Sequence, residues 1–310
     1  MFPVEIVDEK IMDKIIKDNN LKARTLCSVS KKMYCHDNKC LVNIKITKNV
    51  LGQGAGGIVY KTCADNKCDY VAKCSSNINI STKEVLIQNT ASKHGLAPII
   101  RQFLICQETA IIIMDGLDKT VLQLLQYVSP DHEARLIKKY LIEIYNVMEY
   151  MVMEDRIVVP DITNLEELIN FLYMMKIKIV QKYPTMDPTM IDATVPKFEI
   201  DFEDSDEEKK FKIDLVTKAF EKIHQLHKIG IVHGDLHFSN MMTDRNHKIF
   251  IIDFGFSSFT KERERLPVID YTRAISVLRS ACETSGRVNI RYVVNHLIDL
   301  YENFYKGQYE

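Results

Sequence analysis

His233, Asp235 and Asn240 stand in the spacing H-x-D-x-x-x-x-N, and Asp253-Phe254-Gly255 begins 13 residues after Asn240. That set of side chains suits phosphoryl transfer. Asp235 can accept the proton of an attacking hydroxyl, while the amide oxygen of Asn240 and the carboxylate of Asp253 can hold magnesium. Magnesium is a hard cation that takes oxygen ligands, using one or two protein groups together with substrate phosphates. Residues 248–252, just before Asp253, are apolar and β-prone. The carboxylate therefore falls at a strand end, aimed by a rigid element.

Upstream, Leu51-Gly52-Gln53-Gly54-Ala55-Gly56-Gly57-Ile58-Val59 spells G-x-G-x-x-G-x-V between strand-like runs at 42–50 and 58–63. Glycines let the backbone come close to phosphates and present its N–H groups. A dinucleotide-binding loop opens a helix, whereas this one continues as a strand, which predicts a lid over nucleotide phosphates. Val71-Ala72-Lys73 closes the next strand, and Lys73 needs a carboxylate to hold it. Glu84 is the candidate, on a helix starting near Ser81 and running to about Lys93. Ser81-x-x-Glu84 also reads as a capping box, in which Glu84 bonds its own helix start.

The two linked motifs, in this order, resemble the catalytic loop and metal-binding Asp-Phe-Gly of the protein-kinase superfamily. The resemblance implies an α+β, bilobal kinase-like fold. It has a five-stranded antiparallel N-lobe sheet plus one helix, and a mostly helical C-lobe with a helical insertion. The implied division is an N-terminal extension at 1–40, the N-lobe at 41–115, and the C-lobe at 116–310 with its insertion at 128–208. It further implies that Leu51 through Val59 and Lys73 position ATP, with Glu84 anchoring Lys73. The backbone of Asp115 and Leu117 would bond adenine. Asn240 and Asp253 would hold Mg2+, and Asp235 would orient and deprotonate the acceptor while His233 braces the loop.

Departures from an ordinary protein kinase narrow the resemblance. Gly234 stands where many kinases carry an arginine that pairs with a phosphorylated activation loop. His237 replaces a lysine, and the spelling His-Gly-Asp-Leu-His resembles the aminoglycoside and choline phosphotransferases. Asp270 follows Asp253 by only 17 positions, and it begins a stretch resembling the aspartate helix that braces the catalytic loop. These features are similar to the RIO kinases and, more closely, to the small kinase of the KEOPS complex. The resemblance spans about 45–125 and 209–285. The expected activity is ATP-dependent transfer to serine or threonine hydroxyls of a protein. A small-molecule phosphotransferase and a pseudokinase scaffold using the insertion are the alternatives.

The bulk numbers restrict partners. In 310 residues, 41 Lys and Arg balance 42 Asp and Glu, so nothing draws the whole chain to nucleic acid or an anionic membrane. No apolar run has the length of a membrane span, and the first residues lack a signal pattern. The expectation is a cytoplasmic protein with its eight cysteines reduced. Two of the cysteine pairs sit in an echo, Cys35-His-Asp-Asn-Lys-Cys40 and Cys63-Ala-Asp-Asn-Lys-Cys68, read either as a zinc site or as hairpins with small cross-strand hydrophobes.

The remaining readings concern helices. An amphipathic helix is expected at 8–17, and others after Ser129-Pro130-Asp131 and after the capping box Thr163-x-x-Glu166. Residues 199–208 read as a solvated acidic linker holding Ser205, ahead of a helix at 209–228. His224 and His227 on that helix read as surface or packing residues, with a metal role the rival. Residues 128–208 offer a surface for a partner.

Overall fold

The computed structural model describes residues 4–6, 30–54, 56–106, 108–127, 130–150, 161–182, 204–259, 266–285 and 290–305. The expected helix at 8–17 lies outside them. A sheet-rich N-terminal region is built from β1 (Val4–Ile6), β2 (Ser30–Cys35), β3 (Ile44–Gly54), β4 (Gly57–Ala64), β5 (Lys67–Ser75), β6 (Ile100–Cys106) and β7 (Thr109–Asp115). Their order across the sheet is β1-β3-β4-β5-β7-β6-β2. Six of these strands run antiparallel, and β1 adds a short parallel edge on β3. The expected five strands are thus corrected to six antiparallel strands plus one. The two additions come from the stretch read as an extension, where the β2 sequence SKKMYC has no two-residue alternation to mark it.

Alternation elsewhere decides the two faces of the sheet. Along β7, Ile111 and Ile113 join a cluster with Ile44, Ile46, Tyr60 and Ala72. Ala110, Ile112 and Met114 turn to the opposite face, where Val85 of helix α1 (Ile78–Lys93) packs with Ile100 and Phe103. This helix starts three residues before Ser81, its N-cap being Asn77.

The cysteine echo has a shared geometry. Asp37, Asn38, Asp65 and Asn66 all have positive φ, which Asn and Asp tolerate better than most residues. Cys63 and Cys68 thereby face one another across a two-residue turn, as a type I′ hairpin requires. Both flanking pairs are disulfides, Cys35–Cys40 and Cys63–Cys68. This corrects the expectation of reduced thiols and the zinc reading; the hairpin reading holds at 63–68, with its cysteines bonded to one another. Among the described residues no group of three or more His, Cys, Asp or Glu could hold a metal ion.

The helix-rich C-terminal region is organised on α5 (Asp206–Lys228), preceded by α2 (Val121–Leu125), α3 (Pro130–Tyr150) and α4 (Leu165–Lys182) and followed by α6 (Leu266–Ser285) and α7 (Arg291–Leu300). Leu215, Val216, Ala219, Phe220, Ile223 and Leu226 form one fully buried stripe of α5 at helical spacing. Helices α3 and α4 pair through a separate small cluster that includes Leu136, Ile137, Tyr140, Leu168 and Leu172. The start of α4 is capped by Asn164, one residue after the Thr163 read from sequence. No described helix is long and apolar enough to cross a membrane.

The acidic stretch before α5 is not all linker. Ser205 caps the helix and forms a reciprocal capping box with Glu208, so α5 begins at Asp206 rather than 209. Asp204 is buried, accepting bonds from Lys212 Nζ at 2.8 Å and from the Tyr292 hydroxyl at 2.5 Å. The pair ties the entry of α5 to α7. Removing one member of a buried pair strands the other charge and costs about 3–5 kcal/mol, whereas exposed pairs contribute ~0–1 kcal/mol. Lys212→Met should therefore lower stability by about that larger amount in denaturant unfolding, while Lys218→Met, which breaks the exposed pair with Asp214, should shift it by less than about 1 kcal/mol. Equal shifts for the two variants would refute the assignment.

Candidate active site

Two short antiparallel pairs frame the loop between 233 and 240: β8 (Ile231–Val232) with β11 (Ser258–Phe259), and β9 (Met241–Thr243) with β10 (Ile249–Ile251). The loop's backbone is fastened from below by Asp270 of α6, which is fully buried. Its carboxylate accepts the amides of His233 at 2.8 Å and Gly234 at 2.9 Å, and lies 3.0 Å from His227 Nε2. His227 thus belongs to the loop's support. Its partner neighbours it in space rather than in sequence, so no local spacing marks it. Gly234 has φ +81°, and a Cβ there would come within 2.8 Å of the Phe256 carbonyl oxygen. An arginine here would be strained in its backbone and would have to displace the Phe256 carbonyl.

His233 is buried with its Nε2 2.9 Å from the Ile252 carbonyl, to which it donates, leaving Nδ1 to accept the amide of Asp235. Burial holds its pKa below the ordinary value, against the pull of Asp270. The Asp235 side chain, about one-fifth exposed, pairs with the guanidinium of Arg273 on α6. The Asn240 amide nitrogen donates to the Asp235 carbonyl at 2.9 Å, which leaves its oxygen as an acceptor. Asp253 adopts a left-handed conformation, φ 64° and ψ 64°. That state costs a non-glycine residue about 1–3 kcal/mol and collects at functional sites.

Lys73 joins the two regions. Its Nζ lies 2.7 Å from Glu84 on α1 and 2.7 Å from Asp253, 180 residues along the chain. Burial alone would favour the neutral amine, but the two carboxylates outweigh it and hold the Lys73 pKa above its ordinary value. Burial likewise opposes the charged form of Asp253, yet Lys73 keeps its carboxyl below the usual range. Glu84 does not bond its own helix start, which Asn77 caps by accepting the Ile80 amide at 3.1 Å.

The glycine-rich turn folds over this cluster. A Cβ on Gly56 would come within 3.1 Å of Lys73 Nζ and 3.5 Å of Asp253. Gly57 has φ +128°, and a Cβ there would collide with the Cys74 carbonyl at 2.3 Å. Val59 lies opposite Lys73 in the β4–β5 register. Ile58 instead packs into the sheet core, so its side chain does not face the site. Gly52, Gln53 and Gly54 are exposed, and Ala55 lies outside the described residues.

Leu51, Val71, Gly116, Leu117 and Asp118 line a cleft of about 480 Å³, within the size range of ligand sites. Lys73 is not among its lining residues. Asp115 is not among the cleft-lining residues: its side chain is held by Arg101 through two bonds of 2.6 and 2.8 Å, and its amide donates to the Ile99 carbonyl at 3.1 Å. The Gly116 amide donates to Asp69 at 2.7 Å and that of Asp118 to Thr243 at 2.8 Å. Arg273 was not singled out from sequence. The available signal was its position one helical turn past Asp270, on the same face of α6.

A lysine fixed by a helix carboxylate, meeting an Asp-Phe-Gly aspartate beside a supported His-x-Asp loop, defines a kinase-like phosphotransferase. Residues 161–279 match the ABC1 atypical kinase-like domain family. Over 77 residues, 24% of this chain, it is 35% identical to a protein of Invertebrate iridescent virus 3 provisionally named serine/threonine-protein kinase 040L. Over 42 residues, 14% of this chain, it is 50% identical to a Methanocorpusculum labreanum protein provisionally named bifunctional in tRNA threonylcarbamoyladenosine biosynthesis. The aligned segments span 23% and 8% of those two proteins. Together the matches support the atypical protein-kinase-like superfamily. The family match begins at 161, so it includes α4, which the sequence reading had set outside the resemblance.

The buried histidine makes stability depend on pH. Because the folded pKa of His233 lies below its ordinary 6.5, the unfolded chain takes up the proton first. Its contribution is complete above pH 6.5 and is lost as pH falls towards the folded value. Burial shifts His237 and His224 in the same sense. The melting temperature should drop between pH 7.5 and 5.5, and the drop should be smaller in His233→Gln. Calorimetric scans showing identical drops would count against a buried neutral imidazole.

Proposed function

We propose that this chain is an ATP-dependent serine/threonine protein kinase of bilobal build, with the nucleotide between the sheet region and the helical region. The observation that carries the reading is Lys73 Nζ lying 2.7 Å from both Glu84 and Asp253, with Asp235 and Asn240 on the adjoining loop. Backbone groups of Leu117 face adenine in the cleft. Lys73 meets the phosphates, and the turn from Gly52 to Gly57 closes over them once its tip has lifted from Lys73. Asp235 orients the acceptor hydroxyl and takes its proton, on a loop that Asp270 and His233 keep still.

Asn240 and Asp253 suit a hard divalent cation: one offers an amide oxygen whose nitrogen is already engaged, the other a carboxylate. Magnesium held there would offset the charge of the phosphates during transfer. The acceptor is a protein, and the α3–α4 pair offers a surface for a partner. A second reading, transfer to a small aminoalcohol, is favoured by His237. Its Nδ1 is buried with no hydrogen-bond partner, in the field of Asp235 and Asp253.

The test is incubation with γ-labelled ATP and magnesium, offering casein, the chain alone, or choline and ethanolamine. Label on casein or on the chain itself is expected. Label on the aminoalcohols alone would select the second reading, and label nowhere would sink both. Asp235→Ala should lower turnover by ~10²–10⁴, as loss of a general base typically does, with the ATP dissociation constant nearly unchanged. Near-normal turnover in that variant would remove Asp235 from the role.

A further inference from the structure

Asp235 is served by a cation from outside its own loop. Its side chain pairs with the guanidinium of Arg273, three residues beyond Asp270 on α6. Residues three apart on a helix share a face, so one turn of α6 holds the loop twice. Asp270 takes the amides of His233 and Gly234, and Arg273 takes the carboxylate that the loop presents. Lys73 is committed to Glu84 and Asp253. Among the described residues, Arg273 is the cation paired with Asp235.

His237, two residues after Asp235, does not supply that charge. Burial favours its neutral ring, and the neighbouring Arg273 adds to the effect against the pull of Asp235 and Asp253. The same interactions place His237, Arg273, Asp235 and Asp253 within one electrostatic neighbourhood. Arg273 is about half exposed and Asp235 about one-fifth. The pair is therefore neither sealed in the core nor free in solvent.

We infer, resting on the kinase reading above, that Arg273 is a positioning residue for transfer, fixing Asp235 and setting a positive charge beside the moving phosphoryl group. The ion pair is made to Asp235 Oδ1, which accepts no hydrogen bond of its own, and leaves Oδ2 to take the acceptor proton. In the step itself the acceptor oxygen bonds to the γ-phosphorus, and the bond from that phosphorus to the β,γ-bridging oxygen breaks. The electron pair leaves with ADP, and the hydroxyl proton passes to Asp235. Arginine suits this place because its planar fork stays charged and binds carboxylate and phosphoryl oxygens alike. As a bland surface ion pair it would contribute little to anything.

The experiment compares wild type, Arg273→Gln, Arg273→Lys and Arg273→Ala. It measures label transfer to casein and to the chain, the dissociation constant of a fluorescent ATP analogue, and the melting temperature. Arg273→Gln should lower the transfer rate about 10²-fold, the scale seen when one preorganised charge-stabilising donor is removed. Analogue affinity should stay within about twofold of wild type, a margin well below the tenfold that 1.4 kcal/mol represents. Arg273→Lys should recover part of the rate, and millimolar methylguanidine should raise that of Arg273→Ala. Wild-type rates in Arg273→Gln would overturn this inference and leave the kinase reading standing. So would rate, affinity and melting temperature falling together without rescue. A wild-type chain that transfers no label at all would overturn both.

Discussion

A buried amine held between two carboxylates connects every part of this site. Lys73 sits on the sheet, Glu84 on the helix behind it and Asp253 on the far side of the chain. Charges taken out of water remain ionised only where partners are close and hydrogen-bonded. The bonds of 2.7 Å on both sides meet that condition. Two carboxylates meet one amine: burial raises the Glu84 pKa against the pull of Lys73, while the residual charge on Asp253, kept ionised by Lys73, faces the site with its side chain over a third exposed. On the proposed reading, that residual charge is what a divalent cation would neutralise. Asp235 has its own counter-charge in Arg273, while His233 and His237 feel both Asp235 and Asp253.

The catalytic loop depends on a second buried carboxylate. Asp270 has no exposed surface, and its cost is met by two backbone amides and His227. Because the amides belong to His233 and Gly234, anchoring the helix also fixes the path of the backbone into Asp235. The positive φ of Gly234 and that of Asp253 flank this anchor. Such conformations persist only where the surrounding structure over-determines them. Here the β8–β11 and β9–β10 pairs and the bond from the Ile252 amide to the Asn240 carbonyl do so. The rigidity is thus bought by short elements that would not be stable alone.

The chemistry was easier to read from the chain than the scaffold. Lys73, Asp235, Asn240 and Asp253 are marked by local spacing, and local spacing survives in a linear string. The choice between Glu84 as a cap and as a partner was not local. It turned on helix α1 starting at Ile78, which placed Glu84 inside the helix and aimed it at the sheet. Ser205 looked like part of a charged loop because its acidic neighbours dominate the composition. Yet Ser-x-x-Glu ahead of Leu215 and Val216 is itself a helix-start signal. Strand β2 and the disulfides were hidden for a different reason. Edge pairing and cysteine connectivity are settled by which segments meet, and nothing in SKKMYC or in CxxxxC names its neighbour.

The glycine-rich turn adds a dynamic constraint. Strands β3 and β4 are locked into the sheet below residue 58, where Tyr60 and Ile46 are fully buried. Above it, Leu51 through Gly54 are exposed, with open space around Gly52 and Gly54. Segments with few buried contacts open at little cost. The tip can therefore move while the base does not, and Gly56 is where it meets Lys73 and Asp253. A side chain there would hold the tip away from the lysine, whereas glycine lets it rest on the charged cluster. On the kinase reading, phosphates entering the site replace the tip as the cover of Lys73. The exposed amides of the turn then gain a ligand at the same moment that the lysine does.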